Sequence, residues 1–321
     1  MDLSTAQKLP NCKYPKTIDS EKHGLQLLPG TLPIITLDAA QQFRSSKSEV
    51  VSTETLSAAQ IIKMVKLIAD SFAINEPMAR HIMPPKQAPP DITGLKHSDS
   101  FGNDDFGEWT KENILFWVFR LFFLTDAESP LDKIRINSNA IKQSLAVINK
   151  EGEIIGGAIN VNLSIPDNEQ PIRNNDPFIN AVLPFFEPVY HLLSTQMNLS
   201  IKALSNTFPE FKTALQNGKV GDLNLIARSP SLPTEDTFEL VAVTAERFHQ
   251  LGFEFLIVSA ANQWTGAACE VLGGIRVHFA PYRISKVVHE SADAVYDKAS
   301  SIDGFISNKD SGCMLYVIRL Q

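Results

Sequence analysis

Cysteine is scarce in this sequence. The three present, Cys12, Cys269 and Cys313, are too few and too widely spaced for a disulfide framework or a four-thiolate zinc site, so reduced thiols in a cytoplasm are expected. Basic residues are also short: 29 Lys and Arg against 36 Asp and Glu give a net charge of −7. Such a balance opposes a broad phosphate-binding face, and nucleic acid is not expected as a partner. No long apolar run occurs. The N-terminal stretch MDLSTAQKLPNCKYPKT lacks the apolar core of a signal peptide, and the best membrane candidate, 114-ILFWVFRLFFLT-125, is broken by Arg120. A spanning helix needs roughly 20 apolar residues, so this segment reads as a buried helix and no membrane partner is expected. The seven histidines form neither His-x-His nor His-Glu-x-x-His, which leaves no metal site in view. Nucleophile-elbow, Walker-type and dinucleotide glycine motifs are missing as well.

What is present is ordinary globular composition, 44% hydrophobic over 321 residues, enough for a sizeable core. Residues 1–45 carry prolines and glycines without a long period and read as an N-terminal arm. From there regular elements begin. Residues 49–52 suit a strand, and Ser57 can cap a helix whose Ile61, Val65, Ile68 and Phe72 recur at helical spacing up to 73-AINEPM-78. A Pro- and Gly-rich loop follows at 84–108, then a helix at about 110–124. The runs 144-SLAVINK-150 and 153-EIIGGAINVNL-163, parted by Glu151-Gly152, predict a hairpin. Two helices are expected at 176–196 and near 199–216. The last third alternates cleanly: strand 222-DLNLIARS-229, a helix with Phe238, Val241, Ala245 and Phe248 on one face, strand 253–260, helix 263–272, strand 275–284, and a final strand 313–321.

This order, with Leu251-Gly252-Phe253 before one strand and Leu272-Gly273 before the next, resembles the acetyl-CoA-dependent GNAT superfamily of N-acetyltransferases. The likeness is continuous from about Asp222 to Ile284. The stretch 70-DSFAINEPMARHI-82 is similar to the Asp-Glu-Pro-Leu segment of insect-type arylalkylamine N-acetyltransferases. The resemblance implies an α/β (α+β) fold: a mixed, mostly antiparallel central sheet flanked by helices, with one splayed strand pair. It places a single acyltransferase domain at 46–321, with insertions at about 84–110, 165–220 and 285–312.

The function it implies is transfer of an acetyl group from acetyl-CoA, the co-substrate, to a small-molecule amine. Such chemistry needs a base for the amine proton and a donor for the departing thiolate. The matching positions are Glu76 for the base and, for the donor, Cys269, Thr265 or Tyr282. Pantetheine contacts would come from the strand residues Leu225, Ile226, Ala227 and Arg228 and from Asn262. Leu232, Thr234 and Thr237 occupy the turn that in the family binds pyrophosphate. That turn departs from the pattern: 232-LPTEDT-237 has no glycine, Pro233 lacks an amide hydrogen, and Glu235 and Asp236 put negative charge where the family receives phosphate. Arg228, or a basic residue such as Arg247, is the available compensation. The alternative is a catalytically inactive GNAT-like module that holds a ligand or a protein. His278 alternates with Val277 and Phe279 and reads as a structural histidine or a cleft residue. The cluster Phe116, Trp117, Phe119, Phe122 and Phe123 reads as core.

Overall fold

The computed structural model describes residues 48–76, 79, 96–99, 102–105, 110–125, 135–163, 193–229, 236–281 and 312–320. The expected N-terminal arm and most of the 285–312 insertion fall outside them. The strands are β1 (Ser48–Ser52), β2 (Lys96–Asp99), β3 (Gly102–Asp105), β4 (Leu124–Thr125), β5 (Arg135–Ile136), β6 (Leu145–Asn149), β7 (Ile154–Asn162), β8 (Val220–Arg228), β9 (Phe255–Ala260), β10 (Ile275–Pro281) and β11 (Gly312–Arg319). Helices are α1 (Ala58–Asn75), α2 (Lys111–Arg120), α3 (Ser138–Gln143), α4 (193–207), α5 (Pro209–Gln216), α6 (Asp236–Gln250) and α7 (Gln263–Val271).

Seven strands form one sheet in the order β1-β6-β7-β8-β9-β11-β10, antiparallel except for the parallel pair β8/β9. The expected mixed, mostly antiparallel sheet with flanking helices is therefore observed. β2 and β3 make a small ribbon inside the stretch expected to be loop. Periodicity alone could not show it, because 96-KHSD-99 and 102-GNDD-105 carry no apolar face. The insertion before β8 also differs in its breaks: α4 and α5 meet at Phe208, where Pro209 starts the second helix as its first residue.

Local chemistry accounts for the elements that frame the cleft. Ser57 accepts from the Gln60 amide while the Gln60 side chain accepts from the Ser57 amide, a capping box that fixes the start of α1. In the β6/β7 turn the Asn149 side chain accepts from the amides of Glu151 and Glu153 at 3.1 and 2.8 Å. α6 closes on Gly252, whose φ of +84° ends the helix in the left-handed region that glycine adopts without strain.

Two layers of side chains cover the sheet. α6 and α7 bury Val241, Ala245, Phe248, Ala268, Cys269 and Leu272 against Leu223, Val258 and Tyr316. On the other face α1 and α2 bury Met64, Val65, Ile68, Leu115, Trp117 and Phe119 against Ala146, Ile159, Leu225 and Ala227. α4 and α5 extend that second face with Leu204, Phe208 and Phe211 over Phe255, Ile257 and Val317. Gln196 of α4 anchors the extension, donating to the backbone carbonyls of His278 and Cys313 at 2.9 and 2.8 Å. Among the described residues no helix is long and apolar enough to cross a membrane. Arg120, the residue that interrupts 114–125, is fully buried with its guanidinium 4.7 Å from the Trp117 ring centre.

The feature that makes room for a ligand is in β8. Its pairing with β7 slips between Ile159 and Asn160, so Asn224 faces no partner and the strand bulges. Pairing with β9 runs only from Val220–Phe255 to Leu223–Val258. Beyond that rung β8 stays with β7 through Arg228, whereas Ser259 and Ala260 of β9 stay with β11. The two strands part there. The expected splayed pair is present.

Candidate active site

Four elements end around the gap between β8 and β9, and they enclose a cavity of about 500 Å³. The last turn of α1 supplies Ser71, Asn75 and Glu76, and the free length of β8 supplies Ile226, Ala227, Arg228 and Ser229. The start of α6 adds Thr237 and Leu240, and the start of α7 adds Asn262, Trp264 and Thr265.

Glu76 terminates α1 in an extended conformation, φ −84° and ψ 125°, as a residue before proline prefers. Its side chain is buried and reaches across the gap: Asn262 Nδ2 donates to Glu76 Oε1 at 3.0 Å. Asn262 can present that nitrogen because its Oδ1 is already claimed. It caps α7 by accepting from the amides of Trp264 and Thr265 at 3.1 and 3.0 Å, and it also accepts from the Thr265 hydroxyl at 3.2 Å. The other carboxylate oxygen, Glu76 Oε2, is sealed from solvent without a hydrogen-bond partner. Burial raises the pKa of Glu76, and the Asn262 hydrogen bond offsets part of the rise. A carboxylate so placed is more basic than an exposed one and keeps one oxygen without a hydrogen-bond partner.

The sequence-derived candidates divide. Glu76, Asn262, Thr265, Ile226, Ala227, Arg228 and Thr237 all line the cavity. Leu225 alternates away, into the core beneath α1. Cys269 is fully buried in the core beneath α6 and α7 and contributes no wall to the cavity. Asn262 is committed to the α7 cap and to Glu76, so its part in the site is to orient the carboxylate. Leu232, Thr234 and Tyr282 lie outside the described residues. Arg247 does not serve the cleft: at the opposite end of α6 it donates to the Lys142 carbonyl, the Ser52 hydroxyl and the Glu54 carboxylate. His278 sits buried on β10 and is not a wall of the cavity. The aromatic cluster of α2 is core apart from the partly buried Phe116 and Phe122.

Ser71, Asn75, Ser229, Leu240 and Trp264 line the cavity without having been candidates in the sequence, and outside the cavity the acid Asp222 was passed over too. Trp264 keeps 46% of its surface at the rim of the cavity, where a tryptophan in the first turn of a helix gave no period to read. Asp222 is buried on β8 with Oδ1 unpartnered. Its signal was available, since an acid between Gly221 and Leu223 interrupts an apolar strand.

Among the described residues no group of three or more His, Cys, Asp or Glu could hold a metal. The described cysteines, Cys269 and Cys313, are free thiols with no exposure, and burial together with the charges of Glu76 and Asp222 holds the Cys313 thiol well above its ordinary range. A Cys12→Ser variant is therefore expected to leave a thiol-reactive disulfide reagent untouched until denaturant unfolds it, when two equivalents react. Reaction of the native variant within minutes would contradict this packing.

No family model matches the sequence, and no curated protein matches it. Solved structures do. One is a protein assigned as arylalkylamine N-acetyltransferase 7 of the yellow fever mosquito Aedes aegypti, 11% identical, covering 85% of this chain and 87% of that one at a TM-score of 0.51. Another is the C-terminal condensation domain of Ebony in complex with beta-alanyl-dopamine, 10% identical, covering 85% and 99% at a TM-score of 0.50. At these identities the likeness is one of fold.

Proposed function

From a chain with the GNAT fold, we propose an acyl-thioester-dependent N-acyltransferase that transfers an acetyl group from acetyl-CoA to a small amine, with Glu76 as the base. The observation that carries this reading is the Glu76 carboxylate, held by Asn262 at the wall of the cavity at the fork of β8 and β9 with Oε2 unpartnered. The two structural neighbours, one an arylalkylamine N-acetyltransferase by name and the other bound to beta-alanyl-dopamine, supply the acceptor class from which the reading starts.

β8 explains how an extended donor would be held. Past Leu223 no described strand pairs with its β9-facing edge, and strand edges bind extended chains through their backbone. A pantetheine arm, itself carrying two amides, fits such an edge. The amine then approaches the thioester carbonyl from the Glu76 side. Its nitrogen forms the C–N bond, Glu76 takes the surplus proton, and the C–S bond breaks to release a thiolate. Thr265 lines the cavity and is the candidate proton donor to that sulfur once its hydroxyl leaves Asn262 Oδ1, while Cys269 in the core is poorly placed for the task.

A second reading, a ligand-binding module without turnover, is favoured by 232-LPTEDT-237, which offers phosphate no glycine and two acids. Thiol release from acetyl-CoA with a panel of alkyl- and arylalkylamines separates the two. Amine-dependent release that disappears in Glu76→Gln is expected. The absence of release with every amine, together with no binding of acetyl-CoA at millimolar concentration, would leave the module reading standing.

A further inference from the structure

A donor laid along β8 leaves the fork at the start of α6, and the charges there decide how much of it can be recognised. Past Leu223 no described strand pairs with the β9-facing edge of β8, while β8 itself continues beside β7 to Arg228. At about 3.3 Å per residue, 224–228 offers roughly 13 Å of strand edge. That suits one extended arm with two amides. At its far end the cavity is walled by Arg228 and by Thr237 in the first turn of α6. Coenzyme A carries its phosphates and nucleotide beyond the pantetheine arm, so the start of α6 is where they would have to sit.

That place is acidic. Asp236 is the first residue of α6, Glu235 precedes it, and Glu239 follows one turn in, buried at 4% exposure. An acid in the first turn of a helix takes up the field of the N-terminus, the same field that a phosphate would use. Pro233 has no amide hydrogen to give, and no glycine stands in 228–237 to let a phosphate approach the backbone closely. Arg228 is the one base among the described residues that line the cavity, and the one Lys or Arg in 224–246. It already interacts within the chain. Ala227 packs on the α1 face and Ile226 on the α6 face, so alternation turns Arg228 toward α6, one cation against three acids. Arg247 and Arg276 are committed elsewhere, to Glu54 and Glu270.

We propose that donor recognition ends with the pantetheine arm, so that the protein takes acyl-pantetheine thioesters whether or not the nucleotide of coenzyme A is attached. The proposal rests on the acyl-transfer reading of the fork. The amine nitrogen bonds to the acyl carbon, the C–S bond breaks with its electron pair going to sulfur, and the pantetheine thiolate leaves to be protonated. The nucleotide takes no part in these steps, and the charges at α6 give it no anchor. Two sources supply such an arm without the nucleotide: a small pantetheine thioester, and the phosphopantetheine of an acyl carrier protein.

The test measures amide formation from one amine with S-acetyl-pantetheine, acetyl-CoA and an acetylated acyl carrier protein as donors. An enzyme that uses the nucleotide for binding loses kcat as well as affinity when it is cut away, whereas here acetyl-pantetheine is expected within about threefold of acetyl-CoA in kcat/KM. The nucleotide half alone, adenosine bisphosphate, should not inhibit at millimolar concentration. Use of the carrier-borne acetyl group about tenfold better than acetyl-pantetheine identifies the carrier protein as the source, and equal or poorer use identifies the small thioester; the proposal stands in both cases. A preference for acetyl-CoA over acetyl-pantetheine of about tenfold or more, or competition by the bisphosphate, would overturn it. If no thioester yields amide, acyl transfer itself fails, and calorimetry of pantetheine against coenzyme A still decides. Equal affinities uphold a site that ends with the arm, and tighter binding of coenzyme A by about tenfold, or binding of neither, overturns it.

Discussion

Glu76→Gln is expected to lower kcat/KM for the best amine by about 10² to 10⁴-fold, the usual worth of a positioned general base. The glutamine keeps the size of the side chain and an oxygen that can accept from Asn262 Nδ2, so the fork should retain its shape. What it loses is the capacity to take a proton. The pH profile makes the assignment specific. Because burial raises the pKa of Glu76, the basic carboxylate form grows in as pH rises through that shifted value, and wild-type kcat/KM should rise with it. In Glu76→Gln this limb should vanish along with the rate. A variant within threefold of wild type, or one that keeps the same limb, would remove Glu76 from the chemistry.

The second large effect concerns stability, and its sign is opposite to that of most core substitutions. Burial lifts Asp222 from its ordinary 3.8 to about 7. Between these values the folded chain keeps a proton that the unfolded chain has given up. The stability contributed by the neutral acid is thus complete below pH 3.8, is lost as pH rises through the window, and is gone above about 7. A shift of roughly three pH units corresponds to about 4 kcal/mol at most. Asp222→Asn removes the titration and keeps the shape, so urea melts should show the variant more stable than wild type by up to that amount at pH 8 and nearly equal to it at pH 3.5. A gain independent of pH would mean that Asp222 is not buried as a neutral acid.

How much of this was legible in the sequence follows from which physics wrote it. The C-terminal elements were readable because one period governs each: Phe238, Val241, Ala245 and Phe248 recur at helical spacing and do pack as one face, and Ser57 caps the helix it was expected to cap. The splay of β8 from β9 came through the resemblance. The bulge at Asn224 that accompanies it depends on β7, more than sixty residues away, and no local pattern reports such pairing. Glu76 and Asn262 could be named separately, whereas their hydrogen bond, spanning 186 positions, could not. Cys269 and Thr265 stand one turn apart on α7, yet one belongs to the core and the other to the cavity, a distinction set by what α6 covers. Asp222 was passed over because the first residue of an expected strand is easily taken for a solvated end. In the structure the strand begins two residues earlier, at Val220, and the acid is inside.

The fork leaves the sheet as two rafts. β1, β6, β7 and β8 form one, and β9, β11 and β10 the other, with four consecutive residue pairs of β8 and β9 as the mooring between them. An extended molecule laid along β8 beyond Leu223 would lengthen that mooring with its own amides, so the visitor would act as temporary main chain. Its grip and the stiffness of the whole sheet would then rise and fall together.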